Sequence, residues 1–281
     1  MNHTTHRALA EKLGGLFAGL AEVEAVALAG SQATGADDSG SDIDVYVYTR
    51  GEIPLSTRMA IIDQSGGASR ANLGLASWGP GDEWFDAVTG IEADVMFFDC
   101  DWMEAQIRRV VQAHQPSLGY STCFWHTLRL SIPLFDRQGW FANIQALGGC
   151  EYPEALRRNI IAYNHPVLRG VIPAYLTQIE KAVRRGDAVS INHRLAALLA
   201  SYFDIIFAVN RVPHPGEKRL VELARQCCQR LPMEMAADLD AVLASASGGD
   251  GLLVHLDRLL DRLDDFLAAE AVLESGRAGS G

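Results

Sequence analysis

A chain of 281 residues with 48% hydrophobic and 21% charged residues has the make-up of an ordinary soluble protein, long enough that two domains are the default. Its formal net charge of −11, without any run of Lys or Arg, argues against long DNA or RNA as a partner, because polyanion binding rests on clustered basic residues that displace counterions. The most apolar stretch, Leu195–Val209, contains Asp204 and is shorter than the roughly 20 residues of a membrane span, and Glu11, Lys12, Glu22 and Glu24 interrupt the N-terminal apolar positions, so neither a span nor a signal peptide is expected.

In chain order, Thr5 is placed to cap a first helix carrying Leu9, Leu13, Leu16, Phe17 and Leu20 at helical spacing. Val23–Ala29 and Ile43–Tyr48 read as strands. Leu55–Gln64 reads as a short helix ended by Gly66-Gly67. Arg70–Trp78 reads as a strand, and Gly79-Pro80-Gly81 as a turn. Ile91–Phe98 is a further strand. Asp101 is expected to cap a helix reaching about His114, with Trp102, Ile107 and Val110 or Val111 on its buried face. Ser121–Leu130 is read as a helix, Ile132–Asp136 as an edge strand and Phe141–Leu147 as a helix. From there the pattern is helical throughout: Pro153–Asn164, Pro173–Arg185, Ala188–Asn210, Glu217–Arg230, Glu234–Ser245 and Leu252–Ala271. The small, polar residues Ser275–Gly281 read as a disordered tail.

The most informative stretch is residues 25–48. The run Ala25–Ala29 ends in Gly30-Ser31. After the spacer Gln32–Ser41, Asp42-Ile43-Asp44 opens a second apolar run, Val45–Tyr48. Residues two apart on a strand share a face, so Asp42 and Asp44 would stand side by side with Ile43 and Val45 turned away. Two carboxylates that close repel unless a cation lies between them. Hard oxygen ligands suit Mg²⁺, which is commonly held by one or two carboxylates plus substrate phosphates. Gly30-Ser31, following a strand and opening a helix, would offer backbone N–H groups to an anion.

This pattern resembles the nucleotidyltransferase superfamily of the DNA polymerase β type. Its signature is an apolar residue, Gly-Ser, a spacer and Asp-x-Asp or Asp-x-Glu on a strand, matched here by Ala29-Gly30-Ser31 and Asp42-Ile43-Asp44. The family adds a third acid on a later strand, for which Asp94 is the candidate. The resemblance implies an α/β N-terminal nucleotidyltransferase domain with a mixed sheet flanked by helices (residues 1–148). An all-α helical bundle (149–274) and the tail (275–281) would follow. It is similar to the antibiotic nucleotidyltransferases, and closer still to bacterial nucleotidyltransferase-domain proteins with a C-terminal helical domain. Part of that likeness is the stretch Asn210–Lys218.

The implied activity is transfer of a nucleoside monophosphate, AMP from ATP by expectation, to a hydroxyl acceptor with release of pyrophosphate. Two Mg²⁺ ions would stabilise the attacking and leaving oxygens. On this reading Asp42, Asp44 and Asp94 are the catalytic and metal-binding acids, with Asp94 or its neighbour Glu92 as base. Gly30 lets the backbone approach the triphosphate, Ser31 bonds a phosphate oxygen, and Arg211 and Lys218 reach the same group.

Charge suggests the acceptor. Residues 1–145 hold 9 Lys and Arg against 18 Asp and Glu, so an acidic cleft would favour a cationic molecule such as an aminoglycoside. Asp82, Glu83 and Asp86 are the expected acidic wall, and Trp78 or Trp84 the stacking surface. Other small hydroxyl compounds, a tRNA end or a protein hydroxyl stay open as acceptors. The rival reading is a non-catalytic or antitoxin-like fold of the same type that works by binding a partner. Buried Asp204 calls for a helix–helix hydrogen bond rather than catalysis. Arg109 and His114 match a ribonuclease spacing but lie beside a strand, and His126, His165 and His193 show no metal spacing. Five cysteines without C-x-x-C suggest reduced thiols and a cytoplasmic protein rather than disulfides or zinc.

Overall fold

The computed structural model describes residues 3–30, 42–77, 79–247 and 251–278. The chain divides into two compact units. One comprises Met1–Gln112 and Phe124–Cys150, the other Ala113–Cys123 and Glu151–Gly281. The first is α/β and the second all-α.

The α/β unit is built on one sheet. Its strands are β1 (Val23–Leu28), β2 (Ile43–Thr49), β3 (Ala68–Leu75), β4 (Gly81–Asp86), β5 (Glu92–Asp99) and β6 (Ile132–Asp136). Their order is β3-β4-β5-β2-β1-β6, with β2 and β5 parallel and every other pair antiparallel. Ile132–Asp136 is an edge strand, as its pattern suggested.

One face of this sheet is apolar. Val26, Leu28, Ile43, Val45, Val47, Ala93, Val95 and Trp84 pack there against Leu9, Ala10, Leu13 and Phe17 of α1 (His3–Ala18) and Ile61 and Ile62 of α2 (Leu55–Ser65). The opposite face is split along the strands. Toward the C-terminal ends of β2 and β5, Tyr48 is fully buried against Trp140 and Phe141 of α5 (Trp140–Gly148). Beside it Phe98 stacks on Trp102 of α3 (Cys100–Val111). α4 (Cys123–Leu130) adds Phe124 to this aromatic group. The N-terminal ends of the same strands carry the acids.

Three local expectations change. The cap of α3 is Asp99, which accepts from the backbone N–H of Trp102 at 2.8 Å, so the helix starts one residue before Asp101. Trp102 is 41% exposed: it lies on the aromatic group as a partly open lid instead of facing the core. The strand β4 has no counterpart in the pattern reading. Its inward positions are Asp82, Trp84 and Asp86 and its outward ones Glu83 and Phe85, which masks the alternation that marks a half-buried strand. The buried acids each accept hydrogen bonds, and Asp82 is also paired with a cation. Asp82 accepts from Arg58 at 2.8 Å and from the backbone N–H of Gly74 at 2.8 Å; Asp86 accepts from the backbone N–H and hydroxyl of Thr89.

The helical unit contains α6 (Glu154–His165), a π-helical turn (Pro166–Gly170), α7 (Tyr175–Arg185), α8 (Ala188–Val209), α9 (Leu220–Cys227), α10 (Met235–Ala244) and α11 (Leu252–Ala278). α8 is the central member: Ser201 to Val209 are all buried, which suits a helix apolar on every side. Asp204 lies in that run at 1% exposure. It accepts from the Ser121 backbone N–H at 3.0 Å, the Ser121 hydroxyl at 2.6 Å and Asn164 Nδ2 at 3.2 Å. Its partners therefore belong to the segment 113–123 and to α6. Gly119 N–H, Ser117 C=O and the Thr122 hydroxyl complete that seam through Asn164 and His214. Asp238 of α10 is held by Arg258 and Arg262 of α11, each at 2.7 Å. Among the described residues no helix is long and apolar enough to cross a membrane.

Two outcomes follow. Asp204→Asn replaces an acceptor facing the Ser121 and Asn164 donors with an amide, and should lower stability by about 1–3 kcal/mol in urea denaturation. In the same unit, Asp264 bonds His165 at 2.5 Å and is paired with Arg169. Burial works against its charge, but the hydrogen bonds from Arg169 and His165, with their charges, outweigh burial and hold the carboxyl below its ordinary range. A carboxyl depressed on folding stabilises above its unfolded value, about 3.9, and loses that contribution as pH falls through the folded value. The stability difference between wild type and Asp264→Asn, measured by urea denaturation at successive pH values, should therefore shrink as the medium is acidified below about 4.

Candidate active site

The parallel pairing of β2 with β5 is in register at the acids: Asp44 stands directly opposite Asp94, as Ile43 does Ala93 and Val45 does Val95. Ile43, Val45, Ala93 and Val95 are fully buried in the core, so Asp44 and Asp94 lie on the other face, where both are half-buried. The row continues outward. β4 pairs antiparallel with β5 and sets Glu83 opposite Asp94, and β3 sets Asn72 opposite Glu83. A second row on the same face, one pleat toward the start of β5, holds Glu92, Phe85 and Arg70. Asp42 immediately precedes β2 and is half-buried.

The other side of Asp44 is bounded by backbone. The Ala29 N–H donates to Asp44 C=O at 2.8 Å, extending the β1–β2 ladder to the acid. Gly30 follows with φ +62°, and a Cβ added there would lie 1.7 Å from Asp44 Oδ2. The Asp44 carboxylate thus occupies the space that a side chain at residue 30 would need. This is a close approach only glycine permits, though its immediate neighbour is the carboxylate. Adjacent carboxylates repel, and turning one onto a neighbouring backbone relieves that repulsion. Among the described residues, no group of three or more His, Cys, Asp or Glu side chains converges as a metal site.

The other candidates fall as follows. Ser31 and Trp78 lie outside the described residues. Arg211 forks onto the Glu154 carboxylate at 2.8 and 3.1 Å, and Lys218 is exposed; both belong to the helical unit. The expected acidic wall is corrected. Asp82 and Asp86 lie on the core side of β4, committed to Arg58, Gly74 and Thr89, and only Glu83 faces the Asp44–Asp94 row. Trp84 is 2% exposed and belongs to the core, so it offers no stacking surface. The place of Glu83 in the acid row could not be read without β4.

No protein-family model matches the sequence, and a search of curated proteins finds no match. Among solved structures, the chain is similar to a nucleotidyltransferase-like protein from Exiguobacterium sibiricum 255-15. The two share 12% identity at a TM-score of 0.40, over 92% of this chain and 74% of that one. A likeness of that size carries no inference about chemistry, which rests on the residues themselves.

The contact of Gly30 with Asp44 is open to a direct test. Gly30→Ala forces a Cβ into the carboxylate at a backbone angle that costs an L-residue about 1–2 kcal/mol by itself. Asp44→Ala removes the atoms at 1.7 and 2.6 Å and keeps the Cβ at 3.1 Å. In a double-mutant cycle read by urea denaturation, the Gly30→Ala penalty should fall by about 1 kcal/mol or more when Asp44 is already Ala.

Proposed function

We propose that this chain is a nucleotidyltransferase that transfers a nucleoside monophosphate from an NTP to a hydroxyl acceptor. The observation that carries the reading is the register of β2 on β5, which seats Asp44 against Asp94 on the open face of the sheet beside the Gly30 backbone. The chemistry of these donors, rather than any convergence of their side chains, would suit a hard divalent cation. The set is all carboxylate oxygen and it comes from neighbouring strands. Asp42, Asp44 and Asp94 would hold Mg²⁺, which when bound supplies charge neutralisation to the phosphates.

The protein's own groups do the rest. Two neighbouring strands fix the acids, so the reacting phosphate would be positioned by a rigid scaffold rather than by a loop. Gly30 keeps side-chain bulk away from the point where Asp44 turns. Gly30-Ser31 would bring backbone N–H and hydroxyl donors to the triphosphate, ahead of the strand that carries the acids. The acceptor's oxygen would then attack the α-phosphorus in line with the departing pyrophosphate. ATP is the first nucleotide to test.

Asp44→Asn and Asp94→Asn should each lower pyrophosphate release from MgATP by roughly two orders of magnitude or more, the scale on which removal of one charge-stabilising group acts. Both should keep the wild-type circular dichroism spectrum, because neither side chain belongs to the apolar core. Wild-type turnover in either variant would rule the reading out.

A further inference from the structure

Next to the acid row lies a cavity of about 130 Å³ lined by Arg70, Asn72, Glu83, Phe85 and Glu92, with the backbone of Ala71 and Trp84 as its floor. The strand register explains why these five meet. Glu83 and Asn72 belong to the row of Asp44 and Asp94, and Glu92, Phe85 and Arg70 to the next row on the same face. Glu83 is thus shared, being the immediate neighbour of Asp94 across the sheet and one wall of the cavity. Among the described residues, the side chains of Arg70, Asn72, Glu83 and Glu92 make no hydrogen bond or ion pair. The polar groups elsewhere on β4 behave differently: Asp82 and Asp86 are both committed to internal partners.

We propose that this cavity is the acceptor subsite of the transfer reaction, that it receives the hydroxyl-bearing end of a small polyhydroxylated molecule, and that Glu83 takes the hydroxyl proton. The proposal rests on the nucleotidyltransferase reading. The lining selects the class of ligand. Two carboxylates only accept hydrogen bonds, while a guanidinium and an amide supply donors. A hydroxyl both donates and accepts, so a molecule bearing several can satisfy all four groups together. The Phe85 ring gives its C–H face an apolar support. The volume, room for about four water molecules, admits such an end.

The choice of Glu83 over Glu92 follows from position. Glu83 is half-buried and opposite Asp94, whereas Glu92 is exposed at the start of β5. In the transfer step the acceptor O–H proton passes to the Glu83 carboxylate and the oxygen forms a bond to the α-phosphorus of the NTP. The bond from that phosphorus to the bridging oxygen breaks, and its electron pair leaves with pyrophosphate.

Glycerol serves as the minimal probe. With labelled ATP and Mg²⁺, wild-type protein should form a glycerol–AMP adduct saturably in glycerol. Glu83→Gln should lower kcat by about 100-fold or more, within the range of a lost general base. Arg70→Gln, an exposed position where folding is not at risk, should raise the KM for glycerol and leave kcat near wild type. Calorimetry should give both variants wild-type affinity for MgATP. Without nucleotide or metal, glycerol should shift the backbone amide resonances of residues 70–72 and 83–85. Protein that binds MgATP but forms no adduct and shows no such shifts would overturn the subsite while leaving the nucleotidyltransferase reading intact. Full activity in Glu83→Gln would overturn the role of Glu83. Failure to bind MgATP at all would overturn the underlying reading instead.

Discussion

The parallel, in-register pairing of β2 with β5 is the constraint on which the rest of the site depends. A strand has a side-chain period of two, so a slip of one residue on β5 would send Asp94 into the core and bring Ala93 or Val95 to the open face. What forbids the slip is the other face: Ile43, Val45, Ala93 and Val95 are fully buried against α1 and α2. The apolar face therefore holds the polar one in place. Asp44 and Asp94, far apart in sequence, are aligned by the packing of residues that never touch them. β4 is keyed to the same register through Trp84 against Ala93, and that pairing carries Glu83 to the position beside Asp94.

The open face has its own division of labour. Tyr48 and Phe98, four residues on from Asp44 and Asp94, lie under and against Trp140, Phe141 and Trp102, which closes the exit end of the two strands with aromatic rings. Between acids and aromatics stand Tyr46 and Met96, paired in the same register, with the Tyr46 ring edge-on to Phe98 at 5.0 Å. A single pair of strands thus runs from carboxylates to a packed aromatic group within a few residues. The aromatic end anchors α3 and α5, and the carboxylate end stays half open.

Much of this was legible in the chain. β1, β2, β5 and β6 show as apolar runs bounded by turn residues, and the helices of the second unit show through their periodicity. The Asp42–Asp44 spacing with Gly30 before it pointed to the sheet face that carries Asp44 and Asp94, because residues two apart on a strand share a face. Pattern reading failed where apolar alternation was inverted. β4 buries Asp82 and Asp86 and leaves Phe85 half-buried, and the cation that pairs with Asp82, Arg58, lies 24 residues away, outside any local window. With β4 unseen, the neighbour of Asp94 could not be seen either. The segment 113–123 was opaque for a similar reason. It has no period, and its place in the helical unit comes from Asp204, Asn164 and His214, which lie far along the chain.

The acids of this chain fall into two groups, and the difference bears on function more than their number does. Asp82, Asp86, Asp204 and Asp238 are buried, and each is met by donors: Arg58 and Gly74, Thr89, Ser121 and Asn164, Arg258 and Arg262. Those acids hold elements together, and burying them without such partners would cost several kcal/mol apiece. Asp42, Glu83 and Glu92 make no hydrogen bond or ion pair among the described residues, although they cluster on one face of three adjacent strands. Like charges at such spacing weaken a sheet, and a fold selected for stability alone would dilute or pair them. The same chain compensates its acids carefully elsewhere. On the proposed reading, a bound cation or hydroxylated ligand would complete the electrostatics of that face.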